Sequence, residues 1–174
     1  MQKILLQIAR TGIVSEPPPA AAEALREVAG RLSDEVLRRL GRALAIRHVD
    51  PGSCNGCELE IHGLNNPYYN LEGLGIKFVA SPRHADLLLV TGPVARNMQE
   101  ALRRTWDATP EPKLVVAIGD CGCSGGIFGE NYASAGRVSN VIPVDVAVPG
   151  CPPSPTAIMQ GILTAISGSG KSRA

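Results

Sequence analysis

The chain has 174 residues, of which 44% are apolar and 19% are charged, a composition typical of one globular domain with a sizeable core. Its 17 basic and 16 acidic side chains give a net charge of +1, and no basic, aromatic-rich stretch suggests nucleic acid as a partner. The sequence has no apolar run long enough to span a membrane. Because residues 1–10 also lack a cleavable signal pattern, we expect a cytoplasmic protein.

The first predicted element is a long amphipathic helix between Ala20 and Ala45. Its apolar residues recur in steps of three and four, while charged residues occupy the other positions. We therefore expect residues 1–46 to form an N-terminal extension that contains this helix. The helix would either dock on its own domain or a partner, or lie on a membrane surface.

After this helix, short aliphatic runs alternate with helical patterns. The predicted strands cover residues 45–49, 76–80, 86–91, 113–119 and 141–148. The predicted helices cover residues 58–64, 96–106 and 154–166. Continuous aliphatic strands are typical of a parallel sheet covered by helices on both faces, which predicts an α/β domain over residues 47–166. The small, polar residues 167–174 predict a disordered tail.

Four cysteines lie directly after predicted strands. Cys54 and Cys57 follow the first strand, Cys121 follows the fourth, and Cys151 follows the fifth. The carboxyl ends of parallel strands share one edge of the sheet, so these side chains are expected to meet there. In a reducing compartment, such cysteines are metal ligands or redox thiols more often than disulfides.

The spacing of these cysteines favours an iron–sulfur cluster but leaves two other interpretations open. Structural zinc usually takes two compact Cys-x-x-Cys pairs, and this chain has only one. A cluster tolerates ligands from separate loops, and the surrounding glycines let backbone N–H groups approach it. A Cys-x-x-Cys pair before a helix also resembles a thioredoxin-like redox pair. Spacing alone does not decide between Cys121 and Cys123 as the third ligand.

Around these cysteines the sequence resembles the small subunit of NiFe hydrogenases and the cluster-bearing B subunit of respiratory complex I. The matching stretches are residues 53–61, 80–87, 90–94, 118–128 and 142–153. The complex I subunit typically has adjacent cysteines in its first motif, whereas this chain has Cys54 and Cys57 separated by two residues, as hydrogenases do. Periplasmic uptake hydrogenases carry an export signal and ligands for two further clusters, which this sequence lacks. The resemblance is therefore to the membrane-bound, energy-converting group 4, which includes formate hydrogenlyase.

This resemblance implies a flavodoxin-like fold and a single proximal 4Fe–4S cluster. By the family motif its ligands are Cys54, Cys57, Cys121 and Cys151, because the third ligand lies four residues before a Gly-Gly pair, here residues 125–126. Cys123 then occupies a variable position.

The function implied by the resemblance is electron transfer without a catalytic centre on this chain. Electrons would pass between a NiFe site on a large subunit and a ferredoxin-like subunit. Membrane subunits would complete the complex on the inner face of the cytoplasmic membrane. The alternative is the cluster-bearing subunit of a complex I-like quinone oxidoreductase.

Two further residues have both a bland and a functional interpretation. Glu60 either favours the N-terminus of its helix electrostatically or, as the resemblance implies, lies at the large-subunit interface and affects proton movement or the cluster. Arg83 either forms a surface ion pair or, again by resemblance, lies at an interface near the cluster. His48 and His62 flank the cysteine loop but are not needed as ligands, because four cysteines suffice.

Overall fold

The computed structural model describes Leu6, Ala9, Arg10 and residues 23–168. Within these residues the strands are β1 Leu44–Val49, β2 Ile76–Phe78, β3 Leu87–Thr91, β4 Leu114–Ile118 and β5 Val146–Val148. The helices from residue 23 onward are α1 Glu23–Leu40, α2 Gly56–Gly63, α3 Gln99–Ala108, α4 Gly119–Ser124 and α5 Pro155–Gly168. Short 3-10 turns occur at Leu71–Leu74, Pro82–His84, Arg96–Met98 and Val138–Asn140.

All five strands are parallel, and their order in the sheet is β2-β1-β3-β4-β5. This order is that of flavodoxin-like sheets, so the predicted α/β fold is confirmed. The chain runs outward from β1 to β2 and then returns to the other side of β1 as β3. Connections leaving β1 and β3 therefore diverge, and such a switch point at the carboxyl edge is where these sheets bind ligands.

The sheet is buried on both faces, as its continuous aliphatic strands predict. One face packs under α1, α2 and α5, where Ile46, Leu89 and Ile118 belong to the same apolar cluster. On the other face, Leu88 and Val90 pack with Leu102 of α3. Because both faces are covered, the cysteines lie in the loops at the carboxyl ends of the strands.

Helix α1 is part of the larger of these two cores. Its Leu25, Leu32 and Val36 are buried in the cluster that also contains residues of α5. The Arg39 Nη2 atom donates a hydrogen bond of 2.8 Å to the backbone oxygen of Ser167 at the end of α5. These contacts favour the interpretation that α1 docks on its own domain. No helix in the described ranges is long and apolar enough to cross a lipid bilayer.

The structure differs from the predicted elements in several places. Helix α1 ends at Leu40 rather than near Ala45, and β1 already begins at Leu44. Strand β5 covers only Val146–Val148 of the predicted 141–148, because the preceding residues pack in a turn, where Pro143 has no N–H to donate. Helix α4 was not predicted. Helix α5 continues through Gly168, two residues into the predicted tail, and residues 169–174 lie outside the described residues.

Candidate metal centre

The first cysteine loop connects β1 to α2 and is shaped by Asp50. Its Oδ1 atom accepts hydrogen bonds from the backbone N–H groups of Gly52 at 2.9 Å and Ser53 at 2.7 Å. Burial raises the pKa of Asp50, but these bonds outweigh it, so the pKa lies below its usual value. The ionised carboxylate therefore holds the turn that leads into Cys54.

The other two cysteine loops follow β4 and β5, which pair side by side in the sheet. Cys121 lies in α4, and Cys151 lies in the Pro-rich segment before α5. The carboxyl ends of these strands share an edge with the end of β1, so the structure brings all three loops to one place. This was the central expectation from the sequence.

The four predicted ligand thiols are close enough to influence one another electrostatically. Burial, together with the charges of Glu58, Cys54, Cys121 and Cys151, raises the pKa of the Cys57 thiol to about 12. Burial also raises the pKa of Cys121, as do the charges of Cys151 and Cys54. Cys57 and Cys121 are half-buried, whereas Cys54 and Cys151 are exposed. The thiols thus form a group at the protein surface.

Cys123 points away from this group. Its Sγ atom donates to the backbone oxygen of Ala117 in β4 at 3.6 Å. The pKa of its thiol is raised to about 11, mainly by burial. A backbone hydrogen bond at Val148 opposes this shift, and the charge of Asp120 contributes to it. Cys123 is therefore engaged with the sheet, while Cys121 faces the other cysteines.

The donor set fits a four-iron cluster. Four thiols are the usual ligands of such a cluster, and soft sulfur donors suit iron–sulfur centres. In the part of the chain described, no three His, Cys, Asp or Glu side chains form a group that could hold a single metal ion. A cluster is wider than one ion and needs its ligands farther apart. Cys54, Cys57, Cys121 and Cys151 are the residues that would hold it.

Sequence reasoning missed Glu58, the residue after Cys57. Its side chain is turned inward, with the residue only 4% exposed, and neither carboxylate oxygen has a hydrogen-bond partner. The Nε2 atom of His48 lies 3.7 Å from Oε1. Glu58 precedes the buried Ile61 by three residues, a helical spacing that indicates its inward orientation only once the start and inner face of the helix are known.

His48 connects Glu58 to the neighbouring strand. Its Nε2 atom lies 3.3 Å from Oγ1 of Thr91, which itself donates to the backbone oxygen of Val49 at 3.4 Å. Burial lowers the pKa of His48, against the charges of Glu58 and Asp50 that raise it. The buried carboxylate of Glu58 and the half-buried His48 thus lie next to the segment that carries Cys57.

The two other predicted site residues, Glu60 and Arg83, lie in different parts of the fold. Glu60 is half-buried in α2, where it lies beyond the first turn because the helix begins at Gly56, so both of its interpretations stay predictions. Arg83 lies in the turn before β3, at the amino ends of the strands, where it lines a cavity of about 690 Å³. The cysteines lie at the opposite edge, so Arg83 is not beside them, because the connection from β2 returns to the start of β3. An interface role for Arg83 stays a prediction.

Several large apolar side chains near the cysteine loops are exposed. Ile127 and Phe128 follow Gly126, a glycine that packs against the sulfur of Cys121. Leu59 lies two residues after Cys57, and Tyr132 lies in the loop beyond Phe128. Ile127 and Tyr132 are 94% and 95% exposed. Exposed apolar groups beside a functional site are typical of a surface that another protein covers.

A family model described as "NADH ubiquinone oxidoreductase, 20 Kd subunit" matches residues 54–165, which include all five cysteines. The probable membrane-bound hydrogenase subunit mbhJ of Pyrococcus furiosus is 46% identical over 132 residues, which cover 76% of this chain and 79% of that protein. Formate hydrogenlyase subunit 7 of Escherichia coli is 45% identical over 131 residues, which cover 75% of this chain and 51% of that protein.

A similar fold occurs in a solved structure of the membrane-bound sulfane sulfur reductase, an archaeal respiratory membrane complex. The TM-score is 0.67 and the identity 33%, and the similarity covers 82% of this chain and 78% of the matched chain.

Proposed function

We propose that this chain, which belongs to the NADH ubiquinone oxidoreductase 20 Kd subunit family, is an electron-transfer subunit of a membrane-bound NiFe hydrogenase. In this proposal a single 4Fe–4S cluster is held by Cys54, Cys57, Cys121 and Cys151. The observation that carries it is the convergence of these thiols at the carboxyl edge of the sheet. The hydrogenase relatives, at 45% and 46% identity, support hydrogen as the substrate of the complex.

The residues of this chain would bind and shield the cluster rather than catalyse a reaction. Once bound, a 4Fe–4S cluster accepts and releases single electrons. Of the four residues that would hold it, Cys57 and Cys121 are half-buried and Cys54 and Cys151 are exposed. A partner subunit could approach the cluster from the side of the two exposed cysteines.

The exposed apolar side chains around the cysteines support a partner on this face. Leu59, Ile127, Phe128 and Tyr132 would pack against a NiFe large subunit, because obligate interfaces are rich in aromatic and aliphatic groups. A ferredoxin-like subunit would carry the electrons further, and membrane subunits would hold the assembly on the cytoplasmic face. The named relatives are subunits of membrane-bound or formate-cleaving hydrogenases, which is consistent with this arrangement.

The second candidate is the cluster-bearing subunit of a complex I-like quinone oxidoreductase. It is favoured by the family description, which names an NADH ubiquinone oxidoreductase. The separated pair Cys54 and Cys57 argues for the hydrogenase instead, since the quinone-linked subunits typically have adjacent cysteines. Two Cys-x-x-Cys pairs in the large subunit, as nickel ligands, would distinguish a hydrogenase from the quinone enzyme.

The cluster itself is tested by iron and sulfide analysis of the anaerobically prepared chain, separated from the other metal-bearing subunits. The chain should contain about four irons and four sulfides, with broad visible absorption. Cys121→Ser should lose iron, whereas the matched variant Cys123→Ser should retain it. One zinc ion without sulfide would refute the proposal, and the reverse result for the two variants would refute the ligand assignment.

The relay function is tested in the complex with Cys57→Ser. Exchange between deuterium gas and water needs no net electron flow, so part of it should persist. Hydrogen-dependent reduction of a dye or ferredoxin beyond the cluster should fall to background. A nickel-ligand variant of the large subunit should lose both activities. Full dye reduction by Cys57→Ser without the cluster would show that electrons bypass this chain.

A further inference from the structure

Two predicted ligands are each preceded by a residue that is bonded to the other loop. The backbone N–H of Asp120 donates to the backbone oxygen of Gly150 at 2.8 Å. The backbone N–H of Gly150 donates to Oδ1 of Asp120, also at 2.8 Å. The loops that carry Cys121 and Cys151 are therefore joined by two bonds of opposite direction, and one of them depends on a side chain.

This pair extends the register of the β4–β5 ladder beyond its end. The ladder pairs Val116 with Val146 and Ile118 with Val148, a constant offset. Asp120 and Gly150 keep that offset, and Cys121 and Cys151 are the next pair in it. Strand β4 has already given way to α4, so only one bond between backbone groups, from Asp120 N–H to Gly150 O, joins these loops at this step. The Asp120 carboxylate supplies the second bond.

The third cysteine loop meets the same point. Gly119, next to Asp120, has φ +81°, and a Cβ atom there would lie 2.6 Å from Sγ of Cys57 and 3.4 Å from the backbone oxygen of Gly150. The sulfur of Cys57 thus rests directly on the backbone before Asp120. A shift of this backbone would move Cys57, Cys121 and Cys151 relative to one another.

We propose that Asp120 is a positioning residue that sets the separation of the Cys121 and Cys151 loops and whose negative charge lowers the reduction potential of the cluster. This inference rests on the proposed function, in which these cysteines hold a cluster. The half-buried carboxylate is one residue from a ligand. Because reduction adds negative charge to the cluster, a nearby anion opposes it.

The same strand pair provides a matched control at its other end. There the backbone N–H of Asp145 donates to the backbone oxygen of Val115 at 2.9 Å, and Oδ2 of Asp145 accepts from the backbone N–H of Val115 at 2.8 Å. Asp145 therefore repeats the bonding of Asp120 at the amino ends of β4 and β5, away from the cysteines. A purely structural effect on this strand pair should be similar in variants of either residue.

The experiment compares Asp120→Ala, Asp120→Asn and Asp145→Ala in the purified, cluster-loaded complex from which the ferredoxin-like subunit has been removed, so that only the cluster of this chain is followed. The first readout is the rate at which an iron chelator bleaches the cluster under anaerobic conditions. We expect Asp120→Ala to lose its cluster at least tenfold faster than wild type. Asp120→Asn, which keeps an oxygen acceptor, and Asp145→Ala should stay within twofold.

The second readout is the midpoint potential from a redox titration followed by electron paramagnetic resonance. Removing the charge in Asp120→Asn should raise the ratio of reduced to oxidised cluster at a fixed potential at least threefold, an upward shift of about 28 mV from 59 mV per tenfold for one electron. Asp145→Ala should leave the potential unchanged.

The possible results separate this inference from the proposed function. Equal bleaching rates for Asp120→Ala and Asp145→Ala would overturn the positioning role. An unchanged potential in Asp120→Asn would overturn the role of the charge. If Asp120→Ala does not assemble, the role of the charge is still decided by the potential of Asp120→Asn. Assembly of Asp145→Ala in that case would show that the need for the aspartate is local to the cysteine loops, as proposed. A wild-type chain that carries no iron–sulfur cluster in the complex would overturn the proposed function, and this inference with it.

Discussion

Replacing Gly119 by alanine tests how tightly the cysteine loops are packed. The φ of +81° at this position costs an L-residue about 1–2 kcal/mol. The added Cβ atom would lie 2.6 Å from Sγ of Cys57, whereas ordinary contacts begin at 3.4 Å. The sulfur would have to retreat by the difference of these distances, 0.8 Å. A displacement of that size removes a ligand from its place, so we expect both lower stability and loss of iron.

The matched control is Gly30→Ala in the middle of α1. A Cβ atom there has nothing within 4 Å, and the backbone is helical. Alanine should therefore stabilise the chain by about 0.5–1 kcal/mol through its lower unfolded-state entropy. The two alanine variants should differ in free energy of unfolding by at least about 1.5 kcal/mol.

Two measurements decide this prediction. Urea denaturation under anaerobic conditions gives the free energy of unfolding of each variant, and iron and sulfide analysis of the complex gives cluster content. Gly119→Ala should lose iron, and Gly30→Ala should keep it. If Gly119→Ala retained full iron and matched Gly30→Ala in stability, the close approach of Cys57 to this backbone would be wrong.

Three further predictions concern the docking of α1, the burial of His48 and the exposed apolar side chains. Leu32 is 0% exposed, so Leu32→Ala should lower the free energy of unfolding by about 3 kcal/mol. Leu37 is 70% exposed, so Leu37→Ala should change it by less than about 0.5 kcal/mol. Equal effects of the two variants would contradict the docking of α1. Burial lowers the pKa of His48 in the folded state below the ordinary histidine pKa of 6.5, so the unfolded chain takes up the proton first as the pH falls. The free energy of unfolding should therefore decrease as the pH drops below 6.5. Urea titrations at several pH values should show a weaker pH dependence for His48→Gln. Replacing Ile127 and Tyr132 by serine should leave the unfolding free energy unchanged but weaken retention of the large subunit during gel filtration, and unaltered retention would argue against an interface there.

The sheet was predictable because its strands carry a strong, local signal. The continuous aliphatic runs of β3 (residues 87–90) and β4 are typical of short strands that are buried on both faces. The same signal misled at the predicted strand 141–148, where Val141 and Val144 are apolar because they pack on the core beside β4, not because they pair. Apolar character reports burial, and pairing needs backbone information that composition does not contain.

The meeting of the cysteine loops was also predictable, but the neighbouring carboxylates were not. Strand ends locate cysteines from the order of elements alone. Glu58 and Glu60 lie on the same short helix, and the side that faces inward depends on where the helix starts. Asn55, with φ 72°, fixes that start. An asparagine in this conformation is a local feature that sequence patterns rarely reveal.

Which of Cys121 and Cys123 faces the other cysteines likewise depends on which side of a short helix faces inward. Residues two apart on a helix project to opposite sides, so only one of these thiols can face the other cysteines. Which one does so depends on the phase of α4, and its composition of glycine, cysteine and serine gives little helix propensity to predict it. The phase is set from outside the helix, by the Asp120–Gly150 bonds and by the sulfur of Cys57 against Gly119. Long-range contacts thus decide which of two chemically identical neighbours faces the proposed cluster and which bonds to the sheet.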